Sequence, residues 1–207
     1  ASQTQQQALD MRPYPDREAE EIQRREAWSV RLFRGHPKAL VVYPQHPEDH
    51  AAGAGWSWEN WESTREDACV VPSLLHMLQT DLAAHDRVSF LCICTLAGVD
   101  DIVIAESSSL TQTLTRNFRN LKVVIFASVC ELARTPNQRD LESAGKVVLP
   151  GWNDRFGQER DPVANCRYLS FVLDRLLTIR PDSTEEEIKA HALHWEDQYR
   201  RQLQAGE

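Results

Sequence analysis

The chain has 207 residues, of which 42% are hydrophobic and 26% charged, and its formal net charge at pH 7 is −8. This balance is typical of a globular protein with one full core. It disfavours non-specific binding to nucleic acid or to an anionic membrane surface, because both need clustered Lys and Arg.

The sequence contains neither a predicted membrane span nor a predicted disulfide framework. The apolar runs fall well short of the ~18 residues that a membrane span needs. The five cysteines have no framework spacing, which is typical of reduced thiols in an intracellular protein, and we expect a cytoplasmic location. The Gln-rich start predicts a weakly ordered segment over residues 1–12, followed by a single domain over 13–207.

Three tryptophans stand out in the first third of the chain. After a predicted helix over 16–34 and a short predicted strand over 38–43, the long connection 44–62 contains Trp56, Trp58 and Trp61. Tryptophan is usually largely buried, so these residues suit a lid packed over the sheet. Exposed tryptophans are typical of partner-binding hot spots, and that alternative stays open.

The centre of the predicted fold is a β-α-β unit. Two apolar, β-branched runs at 88–94 and 123–129 suit strands buried on both faces, and the helix-length segment 109–120 suits the crossover between them. A shorter run at 102–105 reads as a strand or as part of a short helix, with β-branching in favour of the strand. From residue 63 the chain is predicted to be helical up to the first of these strands.

The last third predicts one strand and two helices. The polar stretch 133–146 has no strong period, and 146–149 reads as an edge strand. Helices are predicted over 162–178 and from Ser183 or Thr184 onward, with Glu186 or Glu187 completing a capping box. The expected fold is therefore a three-layer α/β domain with a mostly parallel sheet of four to five strands and a C-terminal helix pair.

Ligands of parallel sheets bind beyond the carboxyl ends of the strands, which singles out the polar residues there. The candidate ligand-binding residues are Glu106, Ser107, Ser108, Ser109, Cys130 and Glu131. Three hydroxyls before a helix can cradle an anion, although one serine as helix cap and the others in turn hydrogen bonds explain the same pattern. No Gly-rich phosphate loop or nucleophile elbow accompanies them, so no catalytic residue is assigned.

Metal-ligating patterns are incomplete. Pro47 separates His46 from His50 and opposes the helix that would bring the two imidazoles together. His191 and His194 share a helix face but lack an evident third ligand. No metal and no cofactor is predicted.

These patterns favour an intracellular protein-interaction or assembly module. It would use the aromatic and acidic loops 44–62 and 151–162, with Trp56, Trp58 and Trp61 as contact residues, to bind a protein partner or a second copy. The alternative is an enzyme or binder of a small anionic ligand such as phosphate, with its site at the carboxyl ends of the strands. The sequence predicts neither a nucleic-acid nor a membrane partner.

Overall fold

The fold is that of a computed structural model. The structure describes residues 37–43, 56–71, 77, 86–94, 110–126, 131–151 and 162–206. Two regions with predicted elements, the helix over 16–34 and the run at 102–105, lie outside the described residues.

A parallel sheet forms the centre of the fold. Its strands are β1 Ala39–Val42, β2 Ala68–Val71, β3 Phe90–Ile93, β4 Val123–Phe126 and β5 Val147–Pro150. They lie side by side in the order β2-β1-β3-β4-β5, and every neighbouring pair is parallel. The predicted α/β class with a mostly parallel sheet of four to five strands is confirmed.

The strands are buried on both sides of the sheet. Ala39 and Val41 belong to the apolar cluster on one face, whereas Leu40 and Val42 belong to the cluster on the other, and all four are 0% exposed. Successive side chains of a strand point to opposite faces, so a doubly covered sheet needs apolar residues at every position. This requirement explains the continuous apolar runs in the sequence.

Helices cover both faces and complete three layers. The described helices are α1 Trp58–Ser63, α2 Leu110–Asn117, α3 Glu131–Ser143, α4 Pro162–Leu176 and α5 Glu185–Gln204. Side chains of α1, α4 and α5 join the cluster that contains Val41, whereas those of α2 and α3 join the cluster that contains Leu40. No helix within the described residues is both long and apolar enough to cross a membrane.

The C-terminal helix pair is confirmed, and the structure shows the N-cap of the predicted capping box. Thr184 is the N-cap of α5, and its hydroxyl oxygen accepts a hydrogen bond from the Glu187 N–H at 3.2 Å. Three glutamates fill the first turn, where the helix dipole favours negative charge.

Two elements differ from the sequence expectation. Residues 68–71 were expected to be helical, but they form β2, which pairs with β1 from Ala39↔Ala68 to Val42↔Val71. Only this pairing with a distant segment makes them a strand. The polar stretch with no predicted element forms α3, whose weak pattern follows from the few inward residues, Asn137 and Leu141, among those described.

The central position of β4 yields a stability prediction. Ile125 is 1% exposed and lies between Cys92 of β3 and Leu149 of β5. Ile125→Asp buries a charge without a partner, and we expect a loss of at least ~4 kcal/mol and no cooperative unfolding transition in urea. Gln112→Asp, on the exposed side of α2, is the matched control. A cooperative transition in the Ile125→Asp protein would contradict the central position of β4.

Candidate functional site

The tryptophan segment folds as a short helix that packs on the sheet. Ser57 is the N-cap of α1, and its hydroxyl accepts a hydrogen bond from the Asn60 N–H at 3.1 Å. The ring centres of Trp58 and Trp61 lie 5.2 Å apart, and those of Trp56 and Trp58 lie 5.0 Å apart, both edge to face. Such pairs add stability beyond the area that they bury.

The burial of the side chains shows that two of the three tryptophans pack over the sheet as a lid and do not form an exposed surface. Trp58 is 1% and Trp61 is 5% exposed, and both join the apolar cluster that contains Val41. Trp56 packs against the same cluster and is partly buried. Trp58 and Trp61 therefore act as the lid over β1 and β2, and a side chain 1% exposed presents almost no area to a partner.

Asp174 of α4 ties this aromatic lid to the body. Its Oδ1 accepts hydrogen bonds from the Trp61 Nε1–H at 3.0 Å and the Arg65 Nε–H at 2.5 Å, and its Oδ2 accepts one from the Arg65 Nη2–H at 2.7 Å. The Arg65 guanidinium also lies 4.7 Å from the ring centre of Trp61 and donates to the Trp61 carbonyl. Bidentate pairs of this kind are among the stronger charged contacts.

The same helix protects one edge of the sheet. Among the described strands, β2 pairs only with β1, so the N–H groups on its other side lie at an edge of the described sheet. The Val70 N–H donates to a carboxylate oxygen of Glu62 in α1. The side chain thereby occupies a donor with which an added strand would pair.

The strand order places a reversal point between β1 and β3, where ligands of open α/β sheets bind. Tyr43 follows β1 and Cys94 follows β3 at this edge. The Cys94 thiol lies 3.8 Å from that of Cys92, and this hydrogen bond together with burial raises the pKa of Cys94 well above its usual range. Cys94 is therefore a neutral thiol and a poor nucleophile.

One buried polar atom at this edge has no partner within the described residues. It is the Nε1–H of Trp58, whose ring centre lies 6.4 Å from that of Tyr43. A buried donor normally finds an acceptor, and the described residues supply none for this group.

Most of the predicted ligand-binding residues cannot be placed. Glu106, Ser107, Ser108, Ser109 and Cys130 lie outside the described residues, and Glu131 is described only as the first residue of α3. In the part of the chain that is described, no group of three or more His, Cys, Asp or Glu side chains is arranged to hold a metal ion.

A feature that the sequence reasoning missed lies at the other edge of the sheet. A groove of about 280 Å³ runs along β5 between α3 and α5. We call it the α5 groove; its lining includes Gln138, Glu142, Leu149, Pro150, Lys189 and Leu193. Leu193 is 60% exposed, the largest value for a big apolar side chain in the described residues.

The sequence contained a signal for this exposure. The inward residues of α5 are Ile188, Ala192, Trp195 and Tyr199, spaced four, three and four apart. Leu193 lies about 100° away from Ala192 around the helix, outside that stripe.

A second cavity, of about 470 Å³, lies between the end of α4 and the start of α5. Its cations are already engaged: Arg180 is paired with Asp182 at 3.7 Å and Glu187 at 3.9 Å, and Arg175 stacks on Phe171. Burial lowers the pKa of Arg175. The lining carries charges of both signs, so it does not define an anion site.

Comparison with known proteins found no match to a family, to a curated protein or to a solved structure.

The Asp174 contacts predict a measurable loss of stability. Asp174→Asn removes the charge that pairs with Arg65, and we expect the free energy of unfolding to fall by about 1–2 kcal/mol, because both side chains are only partly buried. Urea unfolding followed by tryptophan fluorescence measures it. Asp182→Asn, at a carboxylate 81% exposed, should change stability by less than ~0.5 kcal/mol. Equal effects of the two substitutions would contradict the role of Asp174.

Proposed function

We propose that this chain is a protein-interaction or assembly module whose contact surface is the outer face of α5 with the α5 groove. The main support for this proposal is the exposure of Leu193, a large apolar side chain that is 60% exposed on the rim of that groove. Concave apolar surfaces rimmed by polar groups are typical of binding sites. Trp58 and Trp61, by contrast, are used in the core.

The chemistry of the α5 groove suits side chains of another protein. Leu149 and Pro150 supply apolar surface, while Lys189 and Glu142 supply charges of opposite sign. A mixed lining of this kind favours a partner that offers apolar residues flanked by both charges.

A helix suits this surface better than an added strand. Along β5, the Val147 N–H donates to Lys122 of the neighbouring segment, and the Lys146 N–H donates to the Leu141 carbonyl of α3. Alternate N–H groups of a strand point outward, so on β5 the outward positions are Val148 and Pro150. Proline has no N–H, so Val148 is the one outward donor of this strand. One donor is too few for a strand to pair along this edge.

The proposal includes an intracellular location for the protein. The described cysteines, Cys69, Cys92, Cys94 and Cys166, are all buried free thiols. Persistent free thiols are typical of reducing compartments. No cofactor is needed for a function of this kind.

Site-specific photo-crosslinking tests the contact surface. With p-benzoylphenylalanine in place of Leu193, irradiation of intact cells that produce the chain should give covalent protein adducts. The control carries the same photo-crosslinker in place of Gln112, which lies on the exposed side of α2. Adducts at position 193 well above those at position 112 are the expected result. Equal or absent adducts at the two positions would exclude this face of α5 as the contact surface.

A small-ligand site at the reversal point between β1 and β3 is the second candidate function. The buried Nε1–H of Trp58, which has no partner within the described residues, favours it, because the Trp58 ring centre lies 6.4 Å from that of Tyr43, the residue that follows β1. In this proposal Glu106, Ser107, Ser108, Ser109, Cys130 and Glu131 contribute the remaining polar groups that follow β3 and β4.

Inorganic phosphate is the probe for this second candidate. Titration into protein labelled with ¹⁵N at the indoles should shift the NMR resonance of the Trp58 Nε1–H, because an anion oxygen would accept its hydrogen bond. The indole of Trp195, buried in α5, serves as the internal control. Trp58→Phe identifies the resonance and should remove the response. An unshifted Trp58 resonance at saturating phosphate would eliminate this candidate.

A further inference from the structure

The outer face of α5 has an ordered pattern of charges around Leu193. Glu186, Lys189, Leu193, Asp197 and Arg200 are all exposed. At 3.6 residues per turn they lie within about 80° of the helix circumference. The five residues therefore form one continuous stripe, which we call the α5 stripe.

The α5 stripe is self-complementary. Lys189 and Asp197 lie four residues on either side of Leu193, and Glu186 and Arg200 lie seven residues on either side. In each pair the two charges are opposite. Two copies of the stripe that run antiparallel, with their leucines in contact, therefore bring opposite charges together along their length.

We infer that the partner of the α5 stripe is a second copy of this chain, bound through a two-fold axis at Leu193. This inference rests on the proposed function and names the partner of the same face. Lys189 of each copy faces Asp197 of the other, and Glu186 of each copy faces Arg200 of the other. A two-fold contact uses the same patch on both subunits, as this pattern requires.

Charge also selects the orientation of the two helices. A parallel arrangement in register would place Glu186 beside Glu186 and Lys189 beside Lys189, so that like charges repel at each level. The antiparallel arrangement avoids these contacts. The repulsion in the competing arrangement makes the pairing specific.

Two charges of the α5 stripe have no ion-pair partner among the described residues of the single chain. They are Glu186 and Lys189. Asp197 pairs with Arg201 at 2.9 Å, and Arg200 pairs at 3.5 Å with Glu196, whose side chain is 14% exposed, each across one helix turn. The Asp197–Arg201 pair is exposed and therefore weak, so it competes little with a contact between copies.

The α5 groove adds apolar surface beside the stripe. Leu193 belongs to both, and Leu149 and Pro150 lie along the groove. Leu149 is only 8% exposed in the single chain, so most of the apolar attraction comes from burial of Leu193, which is 60% exposed. The contact is small, so we expect a weak association that falls as salt rises.

A charge swap tests the inference on the whole chain. Sedimentation over about a hundredfold range of chain concentration should show a reversible monomer–dimer equilibrium. Lys189→Glu sets a carboxylate against Asp197 of the other copy at both symmetry-related contacts, and it should weaken dimerisation at least about tenfold. The double variant Lys189→Glu with Asp197→Lys restores opposite charges and should return the dimerisation constant to within about threefold of the original.

Arg139→Glu is the matched control, since it makes the same change of charge at an exposed position of α3 outside the stripe. It should leave dimerisation unchanged, and circular dichroism verifies that each variant stays folded. A chain that remains monomeric at every concentration, or a dimer that Lys189→Glu leaves intact, would overturn the inference. So would a double variant that fails to recover.

Photo-crosslinking at position 193 keeps the two proposals distinguishable. Adducts of twice the chain mass support the second copy. Adducts with other proteins from a chain that sediments as a monomer would overturn the second copy but leave the proposed contact surface standing. The absence of any adduct above the control would contradict both the proposed contact surface and the second copy as its partner.

Discussion

A sheet buried on both faces is the constraint on which the other elements of this protein depend. Each described strand has only four residues, and both of its faces must be kept from water. The chain meets this need with helices on either side and, over β1 and β2, with the large side chains of Trp58 and Trp61. A short helix is enough there, because each tryptophan covers a large apolar area.

Polar contacts then determine where these covers lie. Asp174 binds both Trp61 and Arg65, and so it joins the aromatic lid to α4. Glu62 occupies the Val70 N–H at one edge of the sheet, and Pro150 removes a donor from the other. Both edges of the described sheet are thus poorly suited to added strands.

In the proposed function, α5 serves the core with one face and a contact with the other. Its inner residues, such as Ile188 and Trp195, are buried against the sheet side of the domain. Its outer charges satisfy the helix dipole, acidic at the start and basic at the end. In the proposed dimer the complementarity comes from charges that alternate along the outer face around Leu193, namely Glu186, Lys189, Asp197 and Arg200.

Local sequence was enough to predict the α/β class, the central strands and the capped C-terminal helix, because these depend on short apolar runs and on one capping motif. Long-range packing was needed to make Ala68–Val71 a strand, since its partner Ala39–Val42 is distant along the chain. Packing also places Trp58 in the core and Leu193 at the surface. Both are apolar residues in helices, and only the arrangement of neighbouring elements determines which face of a helix water reaches.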